Sequence, residues 1–186
     1  MCNLKTLVES FKKTTYKKVQ RSTVSYQQML DFTTQELERY LNMYDQCFVE
    51  DQWAREIRNQ IDNLIRRYHD YCIREKFGSH YVEVGAVKGE QVFEHVLPAN
   101  LVRDMLIHKH LTIPQALNAP VCLVKKSSDL KLGKSGLTSR SPSNWNFFHR
   151  YKGLGSKFTT YNGQAVDLDT WTLEDHYKLF GIHNEV

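Results

Sequence analysis

Glu94 and His95 stand side by side in FEHVLP, and Asp129 follows in KKSSDLKL after a second apolar run. An imidazole between two carboxylates could supply what phosphodiester hydrolysis around one metal ion requires. The reaction needs a base for the attacking water and oxygen ligands for a cation beside the leaving oxygen. Histidine suits the base because its ordinary pKa lies near neutrality. Carboxylates suit Mg²⁺. The other candidates are weaker. GKSG at 133–136 ends like a phosphate-binding loop but has Ser128 where that loop needs glycine. His108 and His110 flank Lys109 and would point apart on a helix, where only positions three or four apart share a face. No GxSxG elbow occurs, and the four cysteines form no CxxC pair, so neither a zinc framework nor a disulfide pattern is indicated.

The elements that must hold these residues follow from periodicity. In QWAREIRNQIDNLIRRYHDYCIREKFG, apolar side chains at Trp53, Ile57, Ile61, Leu64, Ile65, Tyr68 and Cys72 keep one helical face. Leu4, Leu7, Val8 and Phe11 suggest an earlier helix, and TTQELERYLNMY another, entered through Thr33 or Thr34 as a cap. Residues 1–78 thus read as a helical region. After Gly78, HYVEVGAVKGEQVFEHVLP has the β-branched and aromatic content of strands, with Lys88-Gly89 able to turn a hairpin and one strand ending near His95.

ANLVRDMLIHKHL and TIPQALN read as a helix and a short helical turn with Pro114 in its first turn, then APVCLVKK as a strand and SSDLKLGKSGL as a helix. The order is strand, insertion, strand, helix, and Asp129 lies in the first turn of that last helix. SRSPSNWNFFHRYKGLGSKFTTYNG shows no clear period, and TLEDHYKLFG closes as a helix between Thr172 and Gly181.

The chain has 186 residues, 41% apolar content and a formal net charge of +4, which indicates a folded protein whose local basic faces matter more than its total charge. No secretory signal or membrane-length apolar run is apparent, so a soluble cytoplasmic protein is expected. Arg140, Arg150, Lys152 and Lys157 interleave with Trp145, Phe147, Phe148 and Tyr151. That mixture suits phosphate neutralisation and base stacking, and equally suits an aromatic mini-core.

EHVLP at 94–98, VCLVKKSSDLKL at 121–132 and the following GLTSRSPSNWNFFHRYKGLG together resemble the HNH, or ββα-metal, endonucleases, in particular small phage-encoded members. The resemblance covers roughly residues 80–155 and implies an α+β fold: a helical N-terminal region (1–78), then a ββα-metal core with an irregular C-terminal extension (79–186). It implies a Mg²⁺-dependent (or other divalent-metal) endonuclease acting on DNA in the host cytoplasm. His95 would be the general base, and Glu94 and Asp129 the metal ligands. The asparagine that members carry before the second strand falls at Pro120 in this register, and Asn118 takes its orienting role if the loop bulges. Lys125, Lys126, Arg140, Trp145, Arg150 and Lys152 are the expected nucleic-acid contacts. A non-catalytic nucleic-acid-binding or protein-interaction module on the same scaffold is the alternative. The apolar face of the long helix could serve a homodimer or the chain's own core.

Overall fold

The computed structural model describes residues 25–47, 52–74, 79–140 and 148–182. The expected helix around Leu4–Phe11 lies outside them. Helix α1 (Tyr26–Tyr44) starts well before Thr33 because Ser25 and Gln28 form a reciprocal capping box. Thr33, the expected cap, lies inside the helix and donates its hydroxyl to the Met29 carbonyl at 2.7 Å. Helix α2 (Gln52–Arg74) buries Ala54, Ile57, Ile61, Ile65 and Tyr68. Each of those isoleucines contributes roughly 1.5–3 kcal/mol by leaving water.

Strand β1 (Tyr81–Glu83) leads through Gly85 and Gly89, at φ +79° and +91°, to β2 (Gln91–His95). Positive φ of this kind is readily adopted by glycine. The turn does not close the expected hairpin, because β3 (Val121–Lys125) inserts between the two strands. It pairs antiparallel with β2 and parallel with β1. Helices α3 (Ala99–Ile107) and α4 (Ile113–Leu117) form the insertion between β2 and β3, and a Thr112–Gln115 capping box starts α4. Helix α5 (Lys126–Lys134) follows β3 with no intervening loop.

The C-terminal part is more regular than its sequence suggests. It holds α6 (His149–Lys152), β4 (Phe158–Thr160), β5 (Ala165–Val166) and α7 (Leu173–Leu179). Strand β4 pairs with β1, giving a mixed five-stranded sheet in the order β2-β3-β1-β4-β5. The described residues thus form an α+β fold of seven helices and one small sheet. One apolar cluster runs from Leu37 through the α2 isoleucines, Tyr81, Val102, Cys122 and Phe158 to Tyr177. Ile57, Ile61, Ile65 and Tyr68 of α2 are packed within the chain, whereas Trp53 of the same stripe is exposed.

Candidate functional site

The antiparallel register sets Glu94 opposite Cys122 and His95 opposite Val121. Because α5 begins directly after β3 and packs on both strands, its first turn carries Asp129 into the neighbourhood of Glu94. Burial raises the pKa of Glu94, and the negative charge of Asp129 adds to the rise, whereas Arg150 opposes it. The three residues expected to do chemistry therefore belong to one strand pair and the helix that follows it. Asp129 itself is half-buried, with no hydrogen bond or ion pair to a described residue.

Arg150 differs most from expectation. Far from reaching a phosphate at the surface, it is 1% exposed and donates through Nη2 to a carboxylate oxygen of Glu94 and to the His95 carbonyl. Nη2 also meets the Tyr151 hydroxyl at 3.0 Å, while Nη1 donates to the carbonyls of Leu137 and Thr138 at 3.0 Å each. A guanidinium can bridge so many acceptors because its donors form a fixed planar fork. It neutralises Glu94 and ties the loop after α5 to the end of β2.

His95 is nearly buried, and its Nε2 lies 3.0 Å from Nδ1 of His69 on α2. Nε2 of His69 in turn lies 2.9 Å from the Leu117 carbonyl. Burial lowers the pKa of His69 to about 4, partly offset by that carbonyl, and lowers that of His95 to about 2, with the charges of His69, Arg66 and Arg150 acting the same way. Both rings are therefore neutral near pH 7, and the hydrogen-bond chain then assigns their protons. A carbonyl only accepts, so His69 carries its proton on Nε2 and accepts from His95 on Nδ1. His95 therefore keeps its proton on Nε2 and has a bare Nδ1.

Asn118 does not perform the orienting role expected of it. It terminates α4, and its side-chain amide donates to the Pro114 carbonyl at 2.9 Å, so the residue that holds His95 is His69. His69 could have been found in the sequence, since it continues the inward series Ile57, Ile61, Ile65 at helical intervals of four. The end of α4 is held by a second histidine. His176 of α7 meets the Asn118 carbonyl through Nε2 at 2.7 Å and the Tyr81 hydroxyl through Nδ1 at 2.7 Å.

Glu83, also unforeseen, is 3% exposed. It accepts from the Lys125 backbone N–H at 2.8 Å and from the hydroxyls of Ser128 and Ser156 at 2.7 and 2.9 Å. It lies at the positive end of α5, where a carboxylate is favoured.

The remaining basic residues stay at the surface. Lys125 is partly exposed near Glu83, at 3.9 Å, and Lys126 reaches the Gly89 carbonyl at 3.2 Å. Arg140 is exposed beside a shallow hollow that includes Asn100, Asp104 and Ser139. Lys152 pairs with Asp169 at 2.6 Å. Trp145 lies outside the described residues. Phe148, Tyr151 and Phe158 pack in the interior, with ring centroids 5.0–6.2 Å apart, so these rings form the aromatic mini-core.

Among the described residues, no three His, Cys, Asp or Glu side chains are grouped to hold a metal ion, and no helix is long and apolar enough to cross a membrane. Comparison with protein-family models, curated proteins and solved structures gives no match.

Proposed function

We propose that the chain is a Mg²⁺-dependent nuclease of HNH-like character that hydrolyses phosphodiester bonds in DNA, in keeping with phage-encoded enzymes that degrade host DNA. The observation that supports this reading is the approach of Asp129, in the first turn of α5, to Glu94 on β2, with His95 the next residue of that strand and turned to its other face toward His69. His95, with its proton on Nε2 toward His69, would present Nδ1 as the base for water, a weak base because burial lowers its pKa to about 2.

Two carboxylate groups fit a Mg²⁺ ion that keeps most of its water and takes its remaining oxygens from a phosphate; they do not make a closed protein cage. Asp129 and the Glu94 oxygen not bonded to Arg150 would hold it. When bound, the ion would stabilise charge on the scissile phosphate and the leaving oxygen. Lys125, Lys126 and Arg140 would steady the strand through its phosphates. Arg150 acts from behind, fixing Glu94 and the His95 carbonyl.

A second reading has its own observation. Arg150 already compensates Glu94, and His95 is packed against His69, as in a scaffold that binds nucleic acid without cutting it. Incubation with single- and double-stranded DNA, in Mg²⁺ or EDTA, separates the two. Salt-sensitive binding with no cleavage in any divalent metal would favour the second.

A further inference from the structure

On the other side of His69 from His95, a cavity of about 460 Å³ opens between α1, α2, the end of α4 and α7. Its size lies within the range of small-molecule sites. Tyr26, Tyr161 and Phe180 supply aromatic walls, and Tyr161 is 67% exposed with its ring centroid 5.7 Å from that of Phe180. None of its described lining residues is Lys, Arg, Asp or Glu, so a phosphate finds no counter-charge there, and among the described residues no three His, Cys, Asp or Glu are grouped to hold a metal ion.

The polar groups are of another kind. His80 accepts the Val121 N–H on Nδ1 at 3.3 Å, which leaves Nε2–H as a donor in the neutral ring. Asn118 uses its amide nitrogen on Pro114, which leaves Oδ1 as an acceptor. Aromatic faces beside an available donor and acceptor, with no charged side chain in the described lining, match a neutral planar heterocycle with a hydrogen-bonding edge. Unpaired bases are recognised in this way, by stacking and by their edges.

We infer that this cavity takes an unpaired nucleobase of a bound strand, stacked at Tyr161 and read by Asn118 and His80. The inference rests on the proposed nuclease reading for its ligand, because the cavity shares His69 with the His95 hydrogen-bond chain. It makes the substrate a strand with unpaired bases.

The test titrates the full chain with adenosine, guanosine, cytidine and thymidine, then with a short single-stranded DNA and the same sequence as a duplex. Ligand-observed NMR and calorimetry provide the readout. At least one nucleoside should bind, the single strand should bind more tightly than both nucleoside and duplex, and Tyr161→Ala should weaken single-strand binding about fivefold to a hundredfold. Asn118→Leu should change which nucleoside is preferred, with unfolding curves confirming that both variants fold.

No nucleoside binding at millimolar concentration, variants that bind like the parent, or a duplex that binds as well as the single strand would each overturn the inference. A nucleoside that binds no more weakly than the oligonucleotide would overturn the assignment to a strand. The two readings fail separately: base binding without cleavage sinks the nuclease, and cleavage without base binding sinks the pocket.

Discussion

Replacing Arg150 with methionine removes the charge and all five of the hydrogen bonds it makes, while filling much of the same volume. The side chain of Arg150 is fully buried and that of Glu94 is 13% exposed, so the carboxylate is left with little water to replace its partner. Breaking a buried pair from one side costs about 3–5 kcal/mol. The His95 carbonyl adds about 1 kcal/mol as a buried acceptor without a donor, whereas the carbonyls of Leu137 and Thr138 sit on a loop that water can reach. The expected loss is therefore about 4–6 kcal/mol, measured by urea unfolding followed by circular dichroism. Arg150→Lys, which keeps the charge but not the fork, should lose roughly half of that, a value still measurable if the methionine variant is largely unfolded. Adding Glu94→Gln to Arg150→Met should recover about 2 kcal/mol or more, because the stranded charge is gone. An Arg150→Met loss below about 1 kcal/mol, or strictly additive effects in the double variant, would refute the buried-pair account.

Stability should fall as pH drops below about 6.5. His69 and His176 stay neutral in the fold down to pH values of about 4, while the unfolded chain protonates both near 6.5. Between those limits these two histidines let the unfolded state bind two more protons, contributing a slope of roughly 2–3 kcal/mol per pH unit. His95 and His80, also held neutral by burial, add in the same sense, and below about 4 His69 and His176 add nothing further. Unfolding curves from pH 4 to 7 measure it; a His69→Gln, His176→Gln variant should lose about 2–3 kcal/mol per pH unit of the slope, and one that keeps the full slope would contradict it. Glu83→Ala should cost about 2–4 kcal/mol because it strands the hydroxyls of Ser128 and Ser156 and the Lys125 N–H; a loss within 0.5 kcal/mol, on the order of a surface substitution, would show that these donors have other partners. Lys126→Ala with Arg140→Ala should leave stability nearly unchanged and lower the salt dependence of DNA binding by about one phosphate contact per residue. An unaltered salt slope would remove both residues from the binding surface.

Where signals were local, the sequence led to the right element. The stripe of α2, the Thr112–Pro114 entry into α4, Asp129 in the first turn of α5 and Thr172 as the cap of α7 are all readable within a few residues. The start of α1 was also local, in Ser25 and Gln28, and Tyr26, Met29 and Leu30 at helical spacing carry the apolar pattern back to it. Strands β4 and β5, three and two residues long, are too short to show a period, and their pairing with β1 is a long-range event. The same distinction holds at the site. Glu94 and His95 are legible as a strand-end pair, yet what holds them comes from afar: Arg150 from α6 and His69 from α2. Arg150 read as a nucleic-acid contact because nothing in HRYKG marks a guanidinium that folds inward to meet a carboxylate.

The most direct measurement is Mg²⁺-dependent cleavage of single- and double-stranded DNA by the parent chain, Asp129→Asn and His95→Ala, each checked for folding by circular dichroism. Asp129 makes no hydrogen bond or ion pair among the described residues, which makes its variant the cleaner probe of the metal site. The account predicts cleavage by the parent that EDTA abolishes and a loss of about a hundredfold or more in both variants. Cleavage that persists in folded Asp129→Asn or His95→Ala, or a parent chain that cuts no DNA with any divalent metal, would contradict it.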